Sequence, residues 1–342
     1  MKSTAAVNLL AFVALIFLLK AGAAIFLPFV VALFLWMLIW IVDSSLAPLR
    51  EKYMPRALGR FSQLFSIAVI IGIFWAVTAA IARELPALSI QLKSYSQSLP
   101  RVAAAVRETF GVDVNMPGLA GLEPDMHKMV SRFVMDSAAF VRSLAMVLIY
   151  LAFMLMEHGS LRRKLPLIFK SNTKKHAEAM LDKILTKIRA YLFLKSLSSI
   201  ALGLGAYALM RSVGLEFAGL WAILIAVLNF VPVLGAIVSC GLPILYSLFQ
   251  FAGGFGPSAI LLAGLLALQV FMGNFVEPKI LGRNVNISPL VQIFSMVVWG
   301  YVWGAVGMFL CIPIMIILSI VLYNIPSTKQ WAILMSEDGE TI

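Results

Sequence analysis

The sequence has few charged residues. Its 342 residues are 61% hydrophobic and only 13% charged, whereas soluble chains are about 45–50% apolar and about 25% charged. No Asp, Glu, Lys or Arg occurs from residue 217 to 276 or from residue 284 to 328. A helix needs about 20 apolar residues to cross a bilayer, so each uncharged run is long enough for more than one crossing. A soluble enzyme, a disulfide-stabilised secreted domain and a disordered chain are therefore excluded.

Sequence signals for several kinds of chemistry are also missing. The chain has no Gly-Lys dipeptide, which excludes a phosphate-binding loop of the Walker type. The three histidines (His127, His158 and His176) lack the spacing of metal ligands. Cys240 and Cys311 lie in the uncharged runs and give neither a disulfide framework nor a zinc pattern. The sequence predicts no metal and no cofactor, and an enzyme is the weaker class of hypothesis.

The charges that are present orient the chain. The net charge is +11, but basic residues beside membrane spans are better explained by the positive-inside rule and anionic lipid than by nucleic acid. The segment from Glu157 to Lys195 holds ten basic and three acidic residues, which predicts a cytoplasmic location. Residues 43–60 hold four further basic residues and are placed on the same side. The resulting topology has both termini in the cytoplasm.

The first forty residues predict a helical hairpin. Apolar residues run from Ala5 to Leu19, Lys20 interrupts them, and a second apolar run follows. A single helix over this length would be nearly twice as long as the hydrocarbon core is thick, so a turn is expected near Lys20–Gly22. The rival interpretation is a cleaved signal peptide, which normally precedes a polar segment rather than another apolar run.

The whole pattern predicts an all-α, polytopic transmembrane helical bundle with broken or re-entrant helices and a small external helical segment. The stretches 217–251 and 288–325 are each either two crossings or one re-entrant hairpin. The predicted divisions are the N-terminal hairpin with a third membrane helix (1–82), an external amphipathic cap (83–136), a membrane helix (137–157), a basic cytoplasmic segment (158–190), a transport core with broken helices (191–328) and a cytoplasmic tail (329–342).

The first candidate site is a proline break in the long uncharged run. It holds Asn229, Pro232 and Gly235. Irregular backbone at membrane depth survives only where it faces protein or water, and transporters build binding sites from such breaks. The amide of Asn229 and the carbonyl groups freed near Pro232 are therefore predicted to bind a polar ligand. The alternative is a plain turn between two short helices.

The second candidate site surrounds an isolated carboxylate. Glu277, Lys279 and Arg283 are the only charged residues from 217 to 328, and Asn274 and Pro278 lie among them. A carboxylate at the end of a span can bind a cation or titrate with a proton. Alternatively, Glu277 forms a structural ion pair with Lys279 or Arg283.

A third element is rich in glycine. Its small residues permit close packing of helices, which is the default interpretation. The more specific interpretation is that the element acts as a hinge. The predicted packing or hinge residues are Trp299, Gly300, Gly304, Gly307 and Pro313, and Gln292 is added to the residues that could line a path.

These motifs resemble those of the autoinducer-2 exporter family of bacterial inner-membrane permeases. The resemblance covers about residues 5–325 and rests on Asn229-x-x-Pro232-x-x-Gly235, on Glu277-Pro-Lys-Ile-x-Gly-Arg283 and on the glycine-rich element. It implies an integral permease of about eight spans, a homo-oligomer, and export of the furanone-type signal autoinducer-2, with sodium/proton antiport in some members.

Three functions follow as hypotheses. The first is a secondary permease that exports a small polar solute of the autoinducer-2 type across the inner membrane. The second is a Na⁺/H⁺ antiporter, for which the sequence lacks a second carboxylate within the membrane. The third is a non-transporting oligomeric scaffold. The expected partners are membrane lipid and a small solute, with H⁺ or Na⁺ added if the protein is an antiporter. Nucleic acid is not an expected partner.

Overall fold

The computed structural model describes residues 14–53, 59–96, 107–108, 144–157, 171–251, 254–281 and 286–339. Over these ranges the regular secondary structure is helical, as the composition predicts. The helices are α1 (residues 14–21), α2 (Ala23–Tyr53), α3 (Gly59–Ser96), α4 (Leu144–Glu157), α5 (Ser171–Ser212), α6 (Ala218–Leu228), α7 (Leu234–Gln250), α8 (Phe255–Phe271), α9 (Glu277–Leu281), α10 (Pro289–Asn324) and α11 (Lys329–Met335).

Five helical segments of the described residues are long and apolar enough to cross a membrane, and one of them runs from α8 into α9. The segments are Ala23–Ser44, Phe65–Leu88, Glu178–Ser212, Phe255–Lys279 and Pro289–Asn324. The prediction of an all-α membrane bundle is therefore confirmed. Most of the expected external cap, from residue 97 to 136, lies outside the described residues.

Two helices continue past the predicted divisions. Helix α3 passes residue 82 and ends at Ser96, with Pro86 inside it, and α5 begins at Ser171 and runs for 42 residues. The residues outside the apolar parts include Ala, Leu, Lys and Gln, which favour helix in water. Each of these two helices therefore extends beyond its apolar part.

The chain divides into two compact units. In unit 1 (residues 1–70, 142–194 and 281–342), α2, α3 and α4 share an apolar core around Ala32, Ile39 and Leu151. In the same unit a turn at Gly22 separates α1 from α2, at the position where the sequence predicts a turn. The indole Nε1 of Trp303 donates a hydrogen bond to the Leu19 carbonyl beside this interruption (3.1 Å). A reversal of the chain at Gly22 stays a prediction.

Unit 2 comprises residues 71–141 and 195–280, and α5, α6, α7 and α8 build most of its apolar core, to which Leu88 of α3 and Met272 also contribute. The buried side chains at the centre of this core are Leu202, Ala206, Met210, Ile225, Leu261 and Leu265. Leu202, Ala206 and Met210 are spaced four residues apart, so they lie on one face of α5. This face directs α5 into the core and fixes the rotation of its polar residues one turn earlier.

The break in the long uncharged run is a tight turn between α6 and α7. A Cβ atom added to Gly235 would lie 1.9 Å from the Leu228 carbonyl oxygen, so only glycine fits there. Helix α6 has 11 residues and is about 16 Å long, too short for a hydrocarbon core of about 30 Å. Its length favours a re-entrant pair over two full crossings.

Helix α10 has a second sharp turn. Trp303 and Gly304 leave helical geometry, and Gly304 has φ 63° and ψ −145°, a region that only glycine enters without strain. A Cβ atom on Gly307 would lie 2.0 Å from the Trp299 carbonyl oxygen, although residues eight apart in a straight helix are about 12 Å apart. The chain therefore turns at Gly304, between two helical pieces.

Candidate functional site

One polar face of α5 begins the site. Lys195, Ser198 and Ser199 are spaced three and four residues apart, so they project from the same side of the helix. All three are buried, at 9%, 1% and 2% exposure. A buried lysine needs a partner for its charge, and the surrounding helices supply one.

Glu277 is that partner, and a local irregularity places it. Residues Met272–Val276 form a π-helical segment immediately before Glu277, and Pro278 follows. A proline ring collides with the carbonyl four residues earlier in an α-helix, here that of Asn274. The wider π turn is consistent with that collision, and π segments occur frequently at functional sites.

Three donors converge on one oxygen of the Glu277 carboxylate. Oε1 accepts hydrogen bonds from Lys195 Nζ at 2.6 Å, from Ser198 Oγ at 2.7 Å and from Asn229 Nδ2 at 3.4 Å. Asn229 Nδ2 also donates to Ser199 Oγ at 3.0 Å. We call these five residues the carboxylate cluster; all of them belong to unit 2.

Asn229 reaches the cluster from the end of α6. It is the C-terminal capping residue of that helix and is 8% exposed. The turn after it is strained: Val233 has φ 56° and ψ −63°, and the Leu234 N–H donates to the Pro232 carbonyl, which closes a γ-turn. A β-branched residue at positive φ is unusual, and strain of this kind is found near binding sites.

The carboxylate cluster offers both donors and acceptors to a small polar molecule. The Lys195 and Glu277 side chains are 11% and 20% exposed, so the pair is largely shielded yet reachable. All three contacts end on Oε1 of Glu277, and a lysine ammonium has three donor hydrogens. Because the two charges balance, the arrangement suits an uncharged solute with several hydroxyl groups.

The other predicted site residues are placed differently. Pro232 and Gly235 form the turn that positions Asn229. Asn274, in the π segment, is exposed, and so is Lys279. Glu277 pairs with Lys195, 82 residues away in sequence, so the ion pair with Lys279 that the sequence left open is not the one observed. Arg283 lies outside the described residues.

The remaining predictions fall in unit 1, outside the carboxylate cluster. Gln292 Nε2 donates to the Ile287 carbonyl at 2.8 Å, near the start of α10. Gly300 packs against Met308, and Gly304 and Gly307 form the turn described above. The Trp299 ring lies 5.0 Å from the Trp303 ring, and Pro313 is buried within α10. Whether this turn acts as a hinge stays a prediction.

Sequence reasoning missed Lys195, Ser198 and Ser199. The sequence assigns Lys195 to the basic stretch that begins at Glu157, although the predicted transport core begins at residue 191. A lysine four residues inside a span is a costly residue that normally has a partner. The Lys-x-x-Ser-Ser spacing on one helix face was the available signal.

Comparison with known proteins identifies the family. The sequence model described as AI-2E family transporter matches residues 8–327. The chain belongs to the AI-2E transporter family. AI-2E membership and the membrane-length helices together identify a membrane transporter, and they favour transport over the scaffold hypothesis.

Individual relatives in bacteria agree with this. The AI-2 transport protein TqsA of Escherichia coli strain K12 is 28% identical over 326 residues, which cover 93% of this chain and 91% of TqsA. A Haemophilus influenzae protein is 30% identical over 210 residues, which cover 61% of this chain and 60% of that relative. PerM of E. coli strain K12 is 25% identical over 266 residues, which cover 75% of this chain and 74% of PerM.

Proposed function

We propose that this AI-2E transporter is a secondary permease that exports a small polar solute of the autoinducer-2 type across the bacterial inner membrane. One observation carries the proposal: Lys195, Ser198 and Asn229 converge on a single carboxylate oxygen within an apolar helical unit. A buried charged pair is costly to maintain, and ionisable groups at such positions usually serve a substrate or ion path. The likeness to TqsA, an AI-2 transport protein, supports the solute class.

The carboxylate cluster would bind the solute by exchanging hydrogen bonds. Hydroxyl groups of the solute donate hydrogen bonds to Glu277. The Lys195 ammonium and the Asn229 amide donate hydrogen bonds to hydroxyl or carbonyl oxygens of the solute. The solute thereby replaces contacts that the cluster makes with itself, so no charge is left without a partner. The strained turn at Val233 joins Asn229 to α7, and release of that strain would let the amide move with the solute.

Flux measurement in proteoliposomes tests the proposal. Purified protein is reconstituted into liposomes that are loaded with autoinducer-2. Efflux of autoinducer-2 is then compared for wild type, Glu277→Gln and Asn229→Ala. Loss of a hydrogen bond to a charged group weakens binding by about ten- to a hundredfold, so we expect flux to fall at least about tenfold at low solute concentration. Lys279→Gln is the matched control, because Lys279 is an exposed charge two residues beyond Glu277 and should leave flux unchanged.

Each contrary result has a distinct meaning. Normal flux in both cluster variants would remove the carboxylate cluster from the mechanism. An inactive wild type, with correctly folded protein in the liposomes, would refute the permease and would favour the scaffold hypothesis.

We also propose that the protein is a homo-oligomer with both termini in the cytoplasm, and native mass spectrometry measures the subunit number.

Cation/proton antiport is the second candidate, and one observation favours it. The Lys195 ammonium sits 2.6 Å from Glu277 Oε1, where a Na⁺ ion could bind if the lysine withdrew. A pH-sensitive dye inside proteoliposomes would report proton movement when Na⁺ is added outside. Proton movement that is abolished by Glu277→Gln would support antiport, and autoinducer-2 efflux that is independent of Na⁺ would exclude coupling to sodium.

A further inference from the structure

Two lysines from different helices lie over one tyrosine ring in unit 1. Lys329 Nζ, at the start of α11, is 4.7 Å from the centre of the Tyr323 ring, and Lys183 Nζ of α5 is 5.9 Å from the same point. Both distances are those of a cation–π contact. We call Lys183, Tyr323 and Lys329 the Tyr323 group; all three residues belong to unit 1.

The Tyr323 group brings two positive charges together. Both lysines are exposed, and within the part of the chain that the structure describes neither has a carboxylate at ion-pair distance. Two ammonium groups at one ring repel each other, and the ring face offers them a quadrupole but no net negative charge. An anion that contacts both lysines would relieve this repulsion.

The Tyr323 group lies at the end of a membrane-length helix. Tyr323 is the second-last residue of α10, whose segment Pro289–Asn324 is long and apolar enough to cross a membrane. In the same unit, Arg189 Cζ of α5 lies 5.2 Å from the centre of the Trp40 ring, close to the end of the segment Ala23–Ser44. Tyrosine and tryptophan are enriched where a span leaves the hydrocarbon. These contacts place this part of unit 1 at the depth of the lipid headgroups.

Helix α11, which begins at Lys329, directs apolar side chains outward. Trp331 and Leu334 are 62% and 70% exposed, and because they are three residues apart they lie on the same face of the helix. Ala332 is fully buried on the other side. A helix with an apolar outer face beside the end of a span is suited to the membrane interface, where that face enters the acyl boundary.

Hydrogen bonds hold α11 in this position. The Ser288 N–H donates to the Met335 carbonyl at 2.9 Å, and the Glu337 N–H donates to Asn286 Oδ1 at 3.1 Å. Both bonds join the C-terminal end of α11 to the chain that precedes α10. The outward direction of Trp331 is therefore fixed by the fold of unit 1.

We propose that the Tyr323 group and the outer face of α11 bind an anionic phospholipid of the adjacent leaflet. The two ammonium groups contact the lipid phosphate, and Trp331 and Leu334 contact its acyl chains. Lys329 and Trp331 are two residues apart on one helix, so a lipid whose phosphate meets Lys329 has its chains within reach of Trp331. A zwitterionic headgroup would bring a third cation to the two lysines, so charge complementarity selects an anionic lipid. The inference goes beyond the proposed transport function and needs no solute.

Quenching of tryptophan emission by brominated lipid tests this site. The full chain is reconstituted into phosphatidylcholine vesicles that contain a fixed minor fraction of either phosphatidylglycerol or phosphatidylcholine brominated on its acyl chains. The contribution of Trp331 is the difference between wild type and Trp331→Phe. We expect brominated phosphatidylglycerol to quench this contribution more strongly than brominated phosphatidylcholine. Lys183→Gln and Lys329→Gln should each reduce the enrichment of phosphatidylglycerol about fivefold, the effect of one basic residue at an anionic surface.

Lys279→Gln is the matched control for the two lysine variants. Lys279 is an exposed lysine of α9 in unit 2, so its loss lowers the net charge equally and should leave the quenching of Trp331 unchanged. Lys183→Arg and Lys329→Arg keep the charge and should keep the enrichment. Thermal unfolding of each variant confirms that it is folded, as expected for exposed positions.

Four results would overturn the lipid site. The first is equal quenching of Trp331 in the wild type by the two brominated lipids, and the second is no quenching by either. The third is an equal effect of Lys279→Gln and the two Tyr323-group variants. The fourth is loss of the phosphatidylglycerol preference when inorganic phosphate is added at constant ionic strength, which would assign the lysines to a soluble anion.

Discussion

The Lys195–Glu277 pair is a single contact that affects stability and on which the proposed transport mechanism depends. Each charge is largely buried, so removing one leaves the other without compensation, at a cost of about 3–5 kcal/mol. Removing both leaves no unpaired charge. We therefore expect Lys195→Met and Glu277→Gln to destabilise the protein strongly when made singly, and the double variant to lose much less than the sum.

Thermal unfolding of the four proteins in detergent measures this coupling. Glu277→Gln combined with Lys279→Gln is the comparison cycle: Glu277 forms its ion pair with Lys195 and not with Lys279, so we expect a coupling much smaller than that of Lys195 and Glu277. Additive effects for Lys195 and Glu277 would contradict the buried pair. A strong coupling would also confirm that α5 carries a charge inside its apolar part.

At the scale of single residues, the sequence predicts two of the five residues of the carboxylate cluster. Asn229 and Glu277 stand out because one precedes a proline break and the other is an isolated charge in an uncharged stretch. Lys195 does not stand out, because it is the last of the ten basic residues of its segment. Which donor meets Glu277 depends on the rotation of α5, which the apolar face of Leu202, Ala206 and Met210 sets, and no local pattern relates that rotation to α9.

The two tight turns depend on glycines with no space for a side chain. Alanine at Gly235 or Gly307 would place a Cβ atom about 2 Å from a backbone carbonyl oxygen, which cannot move away as a flexible side chain can. We expect each substitution to destabilise the protein by about 1–3 kcal/mol, the usual cost of overpacking. Gly241 lies in α7 with nothing within 4 Å of an added Cβ.

Gly241→Ala should therefore be neutral or should stabilise the protein by about 0.5–1 kcal/mol, since alanine favours helix over glycine. The unfolding temperatures of Gly235→Ala, Gly241→Ala and Gly307→Ala are measured and compared with that of the wild type. Equal effects at Gly235 and Gly241 would mean that the α6–α7 turn is looser than the structure shows.

Helix ends were harder to predict than helix breaks. Proline and glycine mark the turns near Pro232 and Gly304 in the sequence, and the structure has turns there. By contrast, α3 continues beyond its apolar part to Ser96 and α5 already begins at Ser171, before its apolar part, because helix-forming residues extend a helix in water. Hydropathy locates the membrane part of a helix, and capping or proline residues locate its end.

Within unit 2 the carboxylate cluster lies beside the apolar core face of α5. The turn at Val233 joins α6 to α7, and Phe217, whose φ is also positive, joins α5 to α6. Movement of α6 would therefore act on Asn229 and on both turns. A transport step that shifts α6 is consistent with this arrangement.

The topology of the whole molecule can be tested on α5 alone. Its segment Glu178–Ser212 is long and apolar enough to cross a membrane, so we expect its two ends to lie on opposite faces of the membrane. Ala179 and Ser212 are exposed near these ends, and the native cysteines Cys240 and Cys311 are buried. We expect a membrane-impermeant maleimide to label Ser212→Cys in intact cells and Ala179→Cys only in inverted vesicles. Labelling of Ala179→Cys from outside the cell would reverse the proposed orientation, and labelling of both variants from one side would mean that α5 does not cross the membrane.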